Sequence, residues 1–137
     1  MCLIISAKLS TADMECISRL PPDAIPVTPI GIFVPHPSFW RRSPTITVFE
    51  RNRGGCGCSL LHVDASPDHA SWRLRADVRE PLAATLRSLG SHLSAGFDFQ
   101  TLWVGEQAAN STSVSLTTLC DLITADNLGT TTLYLVE

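Results

Sequence analysis

Cys56-Gly57-Cys58 sets two thiols one glycine apart, and His62 follows four residues after the second. In extended backbone, residues i and i+2 point to one side, so both sulfurs share a face that Leu60, His62 and Asp64 continue. Two thiolates and an imidazole are donors of the kind that hold structural zinc, which takes four such ligands. The remaining donors have no address: His36, His69, His92, Cys2, Cys16 and Cys120 are all on offer, and no spacing selects among them. Cys56, Cys58 and His62 are thus the candidate metal ligands, with zinc the ion they suit. The same thiols suit redox exchange, because Arg51 and Arg53 just before them favour the thiolate. A disulfide across a single residue is tight and easily reduced, although the helix-borne Cys-x-x-Cys pattern is absent. Against both stands the expectation that these cysteines pack as small apolar groups in a turn shaped by glycine.

A second concentration of useful residues is His36-Pro37-Ser38-Phe39-Trp40-Arg41-Arg42. Aromatics beside bases can stack on and pair with a nucleic acid. A net charge of −3 and a single lysine, Lys8, argue against that partner, since such domains carry a continuous basic stripe. Trp and Arg are the residues most enriched in interface hot spots, so Phe39, Trp40, Arg41 and Arg42 form the candidate protein-interaction surface, for a partner or for a second copy in a homodimer. Cys2 would be N-terminal if Met1 were removed, and its amine could then serve as base. That start resembles class II glutamine amidotransferases, but Leu3 replaces their small residue and the chain is far shorter than their catalytic domain. Cys2 reads better as the start of a core strand. No G-x-S-x-G elbow, Walker loop or G-x-G-x-x-G is present, so no catalytic residue is assigned.

These residues sit in a chain of 137 residues, about the size of one domain, and residues 1–137 are read as one. The longest apolar run near the start, Cys2-Leu3-Ile4-Ile5, is too short for a signal peptide or a membrane span, so a cytoplasmic protein with reduced thiols is expected. Charge is unevenly laid out. Residues 1–87 hold ten bases against eight acids, a net of +2, whereas residues 88–137 hold Asp98, Glu106, Asp121, Asp126 and Glu137 and no base, a net of −5. Such asymmetry can orient a partner, or it can reflect two solvated faces.

The elements that must position these groups follow from periodicity. Cys2 to Lys8 reads as a buried strand, and Ser10 with Asp13 caps a helix carrying Met14, Ile17 and Leu20. Pro21-Pro22 ends it. The stretch from Ala24 to Pro37 interleaves prolines with Ile and Val; each proline lacks a ladder donor, so an edge strand or a wrapping arm is expected. Thr45 to Arg51 and Cys58 to Asp64 read as two arms of a hairpin turning at Asn52-Arg53-Gly54-Gly55. Asp77-Val78-Arg79-Glu80 is a capping-box pattern opening a helix with Leu82, Leu86, Leu89 and Leu93 on one side and Gly96 beyond its end. Phe97 to Val104 alternates as a strand. Ser113 or Ser115 caps a short helix with Leu116, Leu119, Cys120 and Ile123 on one side, and Thr130 to Val136 closes as a strand. The predicted fold is α+β: a mixed, mostly antiparallel sheet with two to three helices packed mainly on one face.

The Met-Cys-Leu-Ile-Ile strand, the Gly-Cys-Gly-Cys-Ser-Leu-Leu turn, Phe-Asp-Phe-Gln-Thr-Leu-Trp-Val-Gly-Glu and the closing Leu-Gly-Thr-Thr-Thr-Leu-Tyr-Leu-Val resemble segments of small bacterial cytosolic proteins of unknown function. The resemblance spans most of the chain and implies a free-standing bacterial protein, with no catalytic residue or cofactor transferred. The favoured expectation is a non-catalytic binding or protein-interaction module; the alternative is a thiol-redox or metal-binding protein using the Cys-Gly-Cys turn.

Overall fold

A sheet of six strands carries the fold, in the order Val27–Ile30, Thr45–Phe49, Leu3–Leu9, Phe97–Trp103, Thr132–Val136, Asn110–Val114, with a separate pair formed by Leu61–Ala65 and Ala70–Leu74. The computed structural model describes residues 3–9, 11–30, 45–49, 60–65, 70–93, 96–103, 109–129 and 132–137. The strands are β1 (Leu3–Leu9), β2 (Val27–Ile30), β3 (Thr45–Phe49), β4 (Leu61–Ala65), β5 (Ala70–Leu74), β6 (Phe97–Trp103), β7 (Asn110–Val114) and β8 (Thr132–Val136). The α-helices are α1 (Ala76–His92) and α2 (Leu116–Thr124). Every neighbouring pair in the large sheet is antiparallel except β7 with β8, so it is mixed and mostly antiparallel, in an α+β fold as the periodicity predicts.

Alternation explains which face the helices cover. Ile5, Ala7 and Leu9 of β1, Phe97 and Phe99 of β6, and Tyr134 and Val136 of β8 are buried, and the register sets Ala7 opposite Phe99 and Phe99 opposite Tyr134. Phe99 and Tyr134 meet as a tilted ring pair with centroids 6.4 Å apart. The same cluster takes Val78, Leu82, Leu86 and Leu89 from α1, and Leu119, Cys120 and Ile123 from α2. The leucine stripe of α1 thus packs where the 3.6-residue period places it.

Thr11–Arg19 forms a 3-10 helix rather than an α-helix. Nine residues is long for that form, which seldom exceeds four. Its inward residues, Asp13 and Cys16 buried and Ile17 and Leu20 half-buried, fall at i, i+3, i+4 and i+7, the spacing of an α-helix, so the sequence pattern does not account for the tighter form. The Cys16 thiol donates to the His92 carbonyl at 3.1 Å, fastening this segment to the end of α1.

Three expectations need correction. The hairpin joining Thr45–Arg51 to Cys58–Asp64 does not form, because both hydrogen-bonding edges of β3 are taken by β1 and β2, and β4 pairs with β5 instead. Helix α1 begins two residues earlier than the capping box suggests: Arg75 is its N-cap, with no side-chain cap bond, and Asp77 lies in the first turn, 3.3 Å from the Arg75 guanidinium. Pro81 accordingly falls in the second turn. Lastly, β5 and β7 are strands that the sequence reading left unassigned. The proline-bearing β2 does lie at a sheet edge, with Pro29 opposite Thr47.

Candidate functional site

Cys56, Cys58 and the Phe39-Trp40-Arg41-Arg42 surface lie outside the described residues, and of the three candidate metal ligands only the backbone of His62 is placed, on β4 opposite Arg73. Among the described residues no group of three or more His, Cys, Asp or Glu is arranged to hold a metal ion. Cys16 and Cys120, two of the proposed completions, are buried free thiols that donate to carbonyls of α1, Cys16 to His92 and Cys120 to Ala83 at 3.6 Å. Those carbonyls are nine residues apart on one helix, about 13 Å at 1.5 Å per residue, so the two thiols are not partners. Burial raises the Cys120 pKa, against a smaller opposing pull from Arg87, which keeps this thiol protonated and unreactive.

Asp126 is a charged group that bonds to two other elements. Helix α2 ends in a Schellman motif, with Asn127 N–H on Leu122 C=O at 2.8 Å and Asp126 N–H on Ile123 C=O at 3.1 Å. Asp126 occupies the left-handed position usually held by glycine, at φ 57°. Its carboxylate accounts for the exception: Oδ1 accepts from Leu74 N–H at 3.3 Å and Oδ2 from Arg79 Nη2 at 3.2 Å. Arg79 also donates to the Leu74 carbonyl through Nε and Nη2. One ion pair therefore ties the end of β5, the first turns of α1 and the end of α2 together. All its groups face one another, which is the arrangement of a clamp rather than of a residue presented to a substrate.

Other buried polar groups have the same character. Thr85 accepts from Ile25 N–H at 2.9 Å and donates to Pro81 C=O at 2.7 Å, joining the segment before β2 to α1. Gly129 N–H donates to the Tyr134 hydroxyl at 2.7 Å, and Thr101 donates to Gly129 C=O at 3.2 Å. Gln100 differs: it is 1% exposed and its Nε2 has no hydrogen-bond partner among the described residues.

What the fold does present to solvent is β7. Asn110, Ser111, Thr112 and Ser113 are all exposed, and the strand pairs with β8 alone among the described strands. It has neither charge nor proline, the usual protections of an edge. Its parallel pairing is possible because α2 lies between β7 and β8 as a crossover, whose first turn is capped by the Ser115 hydroxyl on Thr118 N–H at 3.1 Å. The polar sequence Asn-Ser-Thr-Ser-Val hides this strand from a hydrophobicity reading; the signal that exposes it is a capped helix followed directly by a strand. At the C-terminal end of β7 a cavity of about 280 Å³ is lined by Leu93, Phe97, Leu116, Val136 and Glu137 among others. Glu137 N–H donates to Val114 C=O at 3.2 Å, so the acid sits beside the end of the strand.

The chain matches no family model, no curated protein and no solved structure. Among the described residues no helix is long and apolar enough to cross a membrane.

Proposed function

We propose that the protein is a non-catalytic interaction module that binds a protein partner through the open edge of β7. The observation that carries this is the exposure of residues 110 to 113 on an uncharged strand that, among the described strands, is paired on one side only. Unprotected edges invite strand addition, and proteins that do not use them cover or charge them. Phe39, Trp40, Arg41 and Arg42 fit the same reading as a second contact surface, on composition alone. The test is isotope-labelled protein titrated with fractionated extract, read amide by amide. Selective loss or shift of the 110 to 114 signals is expected. Perturbation confined to residues near Trp40 moves the surface, and an unperturbed spectrum from a lone monomer refutes the module.

The rival reading is a thiol or zinc site at Cys56, Cys58 and His62, supported by their donor types and spacing. Elemental analysis of protein purified without chelator, with a thiol count, decides it: stoichiometric zinc lost on Cys58→Ser would install it, and zinc-free protein with unreactive thiols at these positions removes it.

A further inference from the structure

We propose that the occupant of the β7 edge is an extended basic segment of another protein, added as a seventh strand of the sheet, with an apolar side chain seated in the cavity at the strand's end. This rests on the module reading above and names its partner class.

Three observations favour that occupant. The edge offers main-chain donors and acceptors with nothing to repel an incoming strand: Asn110 to Ser113 are exposed and uncharged, whereas β2 at the other edge is four residues long and carries Pro29. Charge then chooses between partners. Residues 88–137, which include β6, β7, α2 and β8, contain five acids and no base. Asp126 is neutralised by Arg79, while Glu137 is exposed at the end of β7 itself. A second copy of this chain, added edge to edge, would bring two such acidic halves together; a strand bearing Arg or Lys on alternate positions is drawn in. The cavity supplies side-chain selection. Leu116 follows β7 by two residues and Val136 is paired with Val114, so the hollow opens just past the C-terminal end of β7, between residues of β6, β8 and the two helices. At about 280 Å³ it is below the roughly 300–1,000 Å³ typical of sites for whole small molecules and suits one or two aliphatic side chains. Strand addition with main-chain affinity and a side-chain pocket is an established mode of peptide recognition.

The experiment titrates the labelled full chain with three blocked octapeptides: one alternating valine with arginine and ending in leucine, one with glutamate for arginine, and the basic one N-methylated at alternate amides. The basic peptide should shift amides 110 to 114 together with Leu116 and Val136, bind at least tenfold tighter than the acidic one, and weaken with added salt. N-methylation should cost tenfold or more, and so should Thr112→Lys, placed at an exposed edge position; Ser113→Lys substitutes if that variant fails to fold. Equal affinity for acidic and basic peptides, undiminished binding of the N-methylated one, or no binding of the basic one overturns the proposal. A dimer seen by light scattering and dissolved by Thr112→Lys makes the occupant a second copy, which overturns the partner class and leaves the module reading standing. If extract also leaves the whole spectrum unperturbed, both fall.

Discussion

If the Asp126 carboxylate is a clamp, its removal should cost stability in a defined order. Asp126→Asn keeps a carbonyl to accept from Leu74 N–H and a side chain that tolerates the left-handed region, but it loses the charge opposite Arg79. With the two side chains 31% and 20% exposed, that pair is screened, and its loss should cost about 1 kcal/mol. Asp126→Ala also loses the bond to Leu74, a residue only 1% exposed, at about 1 kcal/mol. It also removes the short polar side chain that lets Asp and Asn tolerate the left-handed region, which adds about 1 kcal/mol. The expected losses are therefore about 1 kcal/mol for asparagine and about 3 kcal/mol for alanine. Urea unfolding read by circular dichroism measures both, and with a slope of roughly 1–3 kcal/mol per molar the alanine variant should move its midpoint by about 1 M or more. Arg79→Met in a double-mutant cycle with Asp126→Asn should return a coupling of about 1 kcal/mol. An alanine variant within about 0.5 kcal/mol of wild type, or an asparagine variant as damaged as alanine, would refute the clamp.

Thr85→Val should cost about 1–3 kcal/mol in the same assay, because it leaves the buried Ile25 N–H without its acceptor, while Thr85→Ser stays within about 1 kcal/mol of wild type. Gln100→Met should be neutral or stabilising, since it removes a buried donor with no partner among the described residues; a loss above about 1 kcal/mol would mean that the side-chain amide has a partner in solution. Burial raises the Cys120 pKa above its ordinary value near 9.0, so the thiol's contribution is complete below that pH and is lost as pH rises through the folded-state value. Stability should then fall above pH 9, by at most about 1.4 kcal/mol per unit, and Cys120→Ala should flatten that limb of the pH profile.

The legible parts of the fold are those where side-chain type and period agree. Leu82, Leu86 and Leu89 are buried as their spacing demands, Ser115 caps α2, and Phe97 and Phe99 alternate into the core. Where the backbone departs from the pattern, the sequence misleads: Asp13, Cys16, Ile17 and Leu20 carry α-helical spacing, yet Thr11–Arg19 forms a 3-10 helix. Pairing is less legible still. The Asn52 to Gly55 turn suggests that the strands on either side are neighbours, yet β3 is claimed on both edges by β1 and β2, a fact fixed by strands distant in sequence. The candidate site was least visible. Asn110 to Ser113 carry no apolar alternation because both faces of β7 are exposed, and exposure of that kind is what makes the edge available.

Amide hydrogen exchange along β7 in the isolated monomer tests the open edge most directly. In a parallel ladder alternate residues bond the neighbouring strand and the others point away. Alternation is therefore predicted across residues 110 to 114, with protected amides on the β8 side and nearly unprotected ones between them. Uniform protection along the strand would mean that the edge is already covered, and would contradict the proposed site.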